Sequence, residues 1–469
     1  MRKRDNTLST DQKALAINLD KFKYGSIVEI GAGQEVARRF FHVGAAAGTI
    51  AKTMSAYDMA VSDDIYGHVD RYVSRARLMQ MLDKEFTQVV DRLTHVRAKN
   101  TTFFAYAATV TARSFKQKNE CHGWIGIRLQ LHPGAAPSDV ILHVRMLDND
   151  NAQQSEALGI LGVNLIHGAF FHHDQPEWVV EGLADGLSSE RIEVDLIHFS
   201  GPYFEEVENR LMNLHLIRSW LTRAVVFNPA GEVVVPGELF YRKPVQVIRG
   251  SFKPITCVNV DMMRGGQKQF SQISAVDENE ILSLAEITMN SLLNGDEIDG
   301  RDFLARLDLL ASQGYTVMIS DYVRFFRLRA YLRRYTQKPI SIVLSVRELQ
   351  ALFDEKYYDG LEGGILEAFG KLFPDNTHVY VYPSRRHGEA EITTLANIPV
   401  PPHLRHLLAY LIENGKLVAI EPQDESHLEI EAAETLASLR RGRGDWEKDV
   451  PETVAQRIID GRLLGFDSE

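Results

Sequence analysis

The sequence predicts an α/β protein: a mixed α+β N-terminal half with an antiparallel sheet, followed by a smaller parallel α/β domain in the C-terminal half. Three observations predict it. The runs "TTFFAYAATVTARS", "GWIGIRLQLH" and "DVILHVRML" are short and β-rich, and the links between them are too short for crossover helices, so they should pair antiparallel. From "YTVMIS" onward strand and helix alternate, as in a parallel sheet covered by helices. The composition, 45% hydrophobic and 25% charged over 469 residues, is that of a globular chain, long enough for two or three domains of about 150 residues each.

In chain order, "SIVEIGAGQEVARRFF" reads as a buried strand over 26–30, a turn at Gly31 and Gly33, and a helix over 35–54. "RARLMQMLDKEFTQVVDRLTHV" places Leu78, Met81, Leu82, Phe86, Val89, Val90 and Leu93 at helical spacing, which predicts an amphipathic helix. Behind the three β runs, helices are expected near 152–171 and 177–187, then a strand at "IEVDLIHF" and a helix around 206–221. "AVVFNPAGEVVVP" carries a Pro-Ala-Gly hairpin signal, and "VQVIRGSF" and "TCVNVDM" read as its continuing strands. Helices are expected over 278–310. "YTVMIS", "PISIVLS" and "HVYVYP" then read as parallel strands, separated by the helices "DYVRFFRLRAYLRRY", "VRELQALFDEKYY" and "GGILEAFGKLF".

These elements imply a mixed α+β domain over 1–277, a Rossmann-like α/β domain over 278–423 and a helical tail over 424–469. The net charge of -11 argues against general nucleic-acid binding, which needs a Lys/Arg surplus on a face. Cys121 and Cys257 stand far apart with no CxxC, so neither a disulfide framework nor a cysteine zinc site is expected. "MRKRDN" lacks the apolar run of an export signal behind it, and no run is long enough to predict a transmembrane helix; a cytoplasmic location is the expectation.

Several places suggest chemistry. A strand–glycine–helix junction offers free backbone N–H groups and a partial positive charge, so Gly31 and Gly33 are candidates to hold a nucleotide phosphate, with Glu29 on a ribose hydroxyl. The junction resembles the first motif of S-adenosylmethionine-dependent methyltransferases, although Gln34, Glu35 and Val36 leave no third glycine. Lys52, Tyr57 and Asp58, in "KTMSAYDM", are candidate catalytic residues, because a Lys and a Tyr can share a proton-transfer site tuned by a carboxylate; helix capping accounts for the same residues. His167, His172, His173 and Glu177 cluster in "HGAFFHHDQPEW" as a candidate divalent-metal site, with Glu181 and Asp185 farther along the helix.

Arg249 and Lys253 form a local basic patch around Ser251 that suits a phosphate or carboxylate. In the second half Ser320 and Ser345 end parallel strands, and Gly363 and Gly364 open a helix; ligands of open α/β sheets bind beyond the carboxyl ends of the strands, so these positions should converge.

The phrases "EIGAGQEVARRFF", "KTMSAYDM", "HGWIGIRLQ", "LGILGVNLIHGAF", "ENRLMNLHLI" and "FDEKYYDGLEGGILEAFGKLF" together resemble a widespread uncharacterised bacterial protein family. Its members carry inconsistent labels, nicotinate-nucleotide adenylyltransferase among them. Such adenylyltransferases resemble one another in an HxGH loop that binds ATP phosphates, and here "HVG" at His42 continues with alanines. The resemblance supplies no catalytic residues. The sequence thus supports a protein binding a nucleotide or phosphorylated small molecule, with an assembly-forming homo-oligomer and a metal-dependent hydrolase as alternatives.

Overall fold

The chain's first helix is set by its cap: Ser9 Oγ accepts the N–H of Gln12 while the Gln12 side chain accepts that of Ser9, a reciprocal box that starts α1 (Thr10–Asn18). This computed structural model describes residues 7–56, 58–97, 99–111, 120–295, 297–374, 376–385, 391–442 and 444–466. The chain divides into two compact units, Met1–Val225 and Val226–Glu469.

In the first unit β1 (Lys23–Gly31), α2 (Glu35–His42), β2 (Ile50–Met54), α3 (Met59–Tyr66) and α4 (Arg75–Arg97) precede the three long strands β3 (Thr102–Val110), β4 (Cys121–Leu129) and β5 (Ser138–Met146). Helices α5 (Asn151–Phe171) and α6 (Pro176–Leu183), strand β6 (Ile192–Ser200) and helix α7 (Asn209–Arg218) complete it. The sheet runs β2-β1-β3-β4-β5-β6. The first three strands are parallel, and β3 to β6 are antiparallel as their short links require.

Both faces of this sheet are covered, which is why β3 and β5 are buried along their whole length. On one face Phe104, Tyr106, Ile125, Val140 and Leu142 pack in a core with α5, whose apolar residues surround the helix because it is sunk among neighbours. On the other, Leu78 and Leu82 of α4 lie over Gly126, where a Cβ would meet them at 3.2 Å. The expected helix over 35–54 is a correction: it stops at His42, and Gly44 at φ 81 turns the chain into β2.

The second unit follows the hairpin β7 (Ala224–Phe227) and β8 (Val233–Val234), then α8 (Pro236–Leu239), β9 (Val245–Arg249), α9 (Cys257–Ser274), β10 (Leu282–Thr288) and α10 (Met289–Leu292). A two-residue ladder, β11 (Leu293–Asn294) with β12 (Glu297–Ile298), leads to α11 (Gly300–Ala311), β13 (Thr316–Ser320), α12 (Phe325–Arg333), β14 (Ile340–Ser345), α13 (Val346–Leu352) and α14 (Gly364–Leu372). After β15 (Thr377–Tyr382) comes a second small ladder, β16 (Ser384–Arg385) with β17 (Ile392–Thr393), then α15 (Arg405–Glu413), β18 (Leu417–Ala419), α16 (Ala432–Arg440) and α17 (Glu452–Gly461).

Its sheet runs β18-β15-β14-β9-β10-β13-β7-β8, and every pairing from β18 to β13 is parallel. Three expectations change here. "VQVIRGSF" supplies β9, a central parallel strand and not an extension of the antiparallel hairpin. "TCVNVDM" is the first two turns of α9, because Thr256 takes the N-cap position with Asn259 Oδ1 accepting its N–H. The stretch 278–310 contains β10, a buried strand, ahead of its helix. Residues 226–277, grouped by the sequence with the first half, and 424–469, read as a separate tail, both lie within the second compact unit.

Candidate functional site

Numbered in chain order from β9, the six parallel strands lie in space as 6-5-4-1-2-3, the doubly wound arrangement. The order reverses between β9 and β14, whose carboxyl ends therefore diverge into a crevice. A cavity of about 250 Å³ occupies this point, lined by Gly250 and Ser251 after β9, Asn259 on the first turn of α9, Ser345 and Arg347 after β14, and Tyr382 at the end of β15.

The walls are polar and fixed. Ser345 caps α13: its hydroxyl accepts the N–H of Glu348 at 3.3 Å, and Glu348 Oε2 accepts both the Ser345 N–H (2.7 Å) and hydroxyl (2.8 Å). Burial pushes the Glu348 carboxyl above the usual range, against these hydrogen bonds and the Arg249 charge. The Tyr382 phenol donates to Asp261 on α9, and burial with that bond pushes it far up, so it stays neutral. Arg347, half-exposed at the rim, pairs with Glu431 at 2.5 Å.

The cations expected to form a basic patch are already neutralised. Arg249 donates twice to Glu286 on the neighbouring strand, at 2.8 and 2.9 Å, and also to the carbonyls of Tyr322 and Val323. Ser320 joins this network, donating to Glu286 at 2.5 Å. Lys253 pairs with Asp302 at 2.7 Å. Arg249 and Ser345 do line one cavity; Ser320, at the end of β13 with β10 between it and β9, reaches Glu286 and does not line it, nor do Gly363 and Gly364. The N–H of Gly363 is taken by Glu367 at 2.9 Å.

In the first unit, the Gly31/Gly33 turn is occupied by a carboxyl group of its own. The Glu29 side chain turns back onto the N-terminus of α2 and accepts the N–H groups of Val36 and Ala37 at 3.2 and 3.1 Å. Two donors on which the phosphate reading depended are thus occupied, and Glu29 is not presented to a ribose. Gly31 is required by the fold: at φ 87, a Cβ there would stand 1.8 Å from the Val110 carbonyl oxygen.

Lys52 pairs with Glu85 and Gln88, both at 2.9 Å, and Asp58 caps α3 by accepting the Val61 N–H. Tyr57 lies outside the described residues. His167 is buried and stacks on Phe171, His172 ends α5 beside Trp178, and His173 Nδ1 bonds the Phe170 carbonyl. Glu177 sits in the first turn of α6, and Asp185 pairs with Lys13. Among the described residues no three His, Cys, Asp or Glu side chains are grouped to hold a metal ion, and the adjacent His172 and His173 point to different neighbours.

The residues that sequence reasoning missed, Thr256, Asn259 and Tyr382 at the crevice and Glu286 beside Arg249 on β10, belong to elements assigned wrongly or left unranked. The Thr-x-x-Asn spacing ahead of an apolar run was the available signal for α9.

No protein-family model matches the chain, and no curated protein does. Among solved structures it is similar to a competence/damage-inducible protein from Agrobacterium tumefaciens, at 14% identity and a TM-score of 0.24 over 34% of this chain and 97% of that one. A competence-damaged protein (CinA) superfamily member from Enterobacter cloacae is similar at 14% identity and TM-score 0.23, over 35% of this chain and 93% of that one. A proposed nicotinate-nucleotide adenylyltransferase from Vibrio parahaemolyticus shows 14% identity and TM-score 0.20, over 48% of this chain and 97% of that one. Likenesses at this level establish neither a shared activity nor a shared ligand.

Proposed function

We propose that the second unit binds a nucleotide or another phosphorylated small molecule in the crevice between the ends of β9 and β14. The observation that carries this reading is the reversal of strand order at a polar cavity, the place where open α/β sheets bind ligands. The 18-residue helix α9 starts at this cavity and directs its positive end there. Arg347 supplies a rim cation released from Glu431 when an anion competes for it, and Glu348, with its raised carboxyl, is a group able to exchange a proton.

Isothermal titration of the full chain with ATP, AMP and NAD tests this. Binding by at least one is expected, weakened about tenfold or more by Ser251→Trp, which fills the cavity, and by Arg347→Ala. No binding of any of the three at millimolar concentration, or equal binding by the folded Ser251→Trp variant, would remove the reading.

A further inference from the structure

The second unit holds an apolar cavity that the crevice reading does not use. It measures about 170 Å³ and lies among α12, α13, α14 and the turn Glu355–Tyr358. Its floor is buried and formed by Phe326, Leu352, Ala368, Phe369 and Leu372. Phe369 meets Phe353, Tyr358 and Phe373 edge-on, at 5.2, 6.2 and 5.5 Å between centroids, so the floor is braced. The Tyr358 hydroxyl is spent on the Leu352 carbonyl at 2.8 Å. Ala368, a small residue among aromatic neighbours, leaves the room. An apolar cavity of roughly 150 Å³ stays dry and takes a benzene-sized molecule, so this one suits a single six-membered ring.

Val323 and Tyr357 stand exposed at its mouth, with Ala351 and Arg324 beside them. Arg324 is the N-cap residue of α12, and no side chain caps that helix. Its guanidinium makes no hydrogen bond or ion pair with any described residue, yet lies close enough to the Tyr358 phenol to act on it electrostatically. Arg249 also lines the cavity, but it is spent on Glu286 and two carbonyls, and its guanidinium lies over the Phe325 ring at 4.2 Å. The carboxyls nearby are engaged: Glu348 accepts from Ser345, Asp354 pairs with Lys356 at 2.5 Å, and Glu355 pairs with His403 at 2.7 Å. An uncommitted cation at the rim of an apolar pocket selects an anion carried on an apolar body.

We propose that this pocket binds a small aromatic carboxylic acid of one ring, with the ring over Ala368 and Phe369 and the carboxylate at the mouth on Arg324. The site is separate from the crevice, and the proposal does not rest on the crevice reading. Seating the ring takes the apolar floor and the exposed Val323 and Tyr357 out of water and adds ring contacts with Phe326 and Phe369. The planar guanidinium of Arg324 matches a carboxylate with two parallel N–H···O bonds, and the apolar wall on one side strengthens them. A neutral ring forfeits the ion pair, and a bare anion forfeits the burial. Both halves of the ligand are therefore needed.

The test is fluorine NMR of para-fluorobenzoate titrated with the full chain at about pH 7, where the probe is ionised. Broadening of its resonance is expected, with a Kd of about 1 mM or tighter. Arg324→Gln should weaken binding about tenfold or more, and Ala351→Trp, which covers the mouth, should abolish it. The neutral para-fluorobenzamide should bind the wild-type chain about tenfold more weakly, and acetate at about 10 mM should not displace the acid. No binding at about 10 mM, equal binding by either folded variant, equal binding of the amide, or displacement by acetate would each overturn the proposal. If a variant does not fold, the amide and acetate comparisons on the wild-type chain decide alone.

Discussion

Arg249 and Glu286 meet across β9 and β10 in a two-pronged ion pair, with Glu286 fully buried and Ser320 closing the network at 2.5 Å. Arg249 itself lines the crevice, and the pair joins the two strands there. Removing one partner strands a buried charge. Arg249→Ala is therefore expected to lower the unfolding free energy of the second unit by about 3–5 kcal/mol. Arg249→Met with Glu286→Leu should recover part of that loss, because both charges leave together. Urea unfolding followed by tryptophan fluorescence and circular dichroism reads both, and a loss below about 1 kcal/mol in the single variant would show the pair to be solvated.

Glu286 also explains why the second sheet was hard to see in the sequence. A carboxylate in the middle of "LSLAEIT", behind the acidic run "DENE", hides a strand that is buried on both faces; the Arg249 and Ser320 contacts, 37 and 34 residues away, make the charge tolerable there. The strand order was illegible for the same reason, since β9 cannot be called central until β10 and β14 flank it. Local patterns were legible where one face alone decides them. Leu78, Met81, Leu82, Phe86 and Val89 predicted α4, and short links predicted the antiparallel β3, β4 and β5. The Gly31 turn was legible as a turn, but the group its N–H donors hold is Glu29, two residues away in the same phrase.

Glu29 should make the stability of the first unit depend on pH. Burial raises its carboxyl from 4.5 to about 7 despite the two backbone N–H groups it accepts. Between those values the folded chain holds a proton that the unfolded chain releases. The contribution is fully present below about pH 4.5 and is lost as pH rises through 7, by roughly 3 kcal/mol in all. Glu29→Gln should flatten this part of the profile. Denaturation midpoints measured from about pH 5 to 8 check it, and an identical slope in the variant would assign the effect elsewhere.

Two glycines with similar backbone angles should respond very differently to alanine. Gly44, at φ 81, faces open space, so Gly44→Ala meets only the left-handed penalty of about 1–2 kcal/mol. Gly31, at φ 87, backs onto the Val110 carbonyl in the β1–β3 pairing, so Gly31→Ala must also push two strands apart. It should cost several kcal/mol more, or prevent folding. Comparable thermal midpoints for the two variants would mean that the strands part easily at this end of the sheet.

The two cysteines, neither in a disulfide, should differ in reactivity for physical reasons that the fold supplies. Cys121 is buried at the start of β4 and should resist alkylation until the first unit unfolds. Cys257 is partly exposed at the start of α9, where a helix N-terminus alone would favour the thiolate. Burial, with Asp449 and Asp424 nearby, outweighs that and pushes the thiol up. Iodoacetamide at about pH 8 should therefore add to Cys257 more slowly than to free cysteine, and not to Cys121 without denaturant. Intact mass over time gives both rates; addition to Cys257 faster than to free cysteine would show that the helix terminus prevails over the two carboxylates.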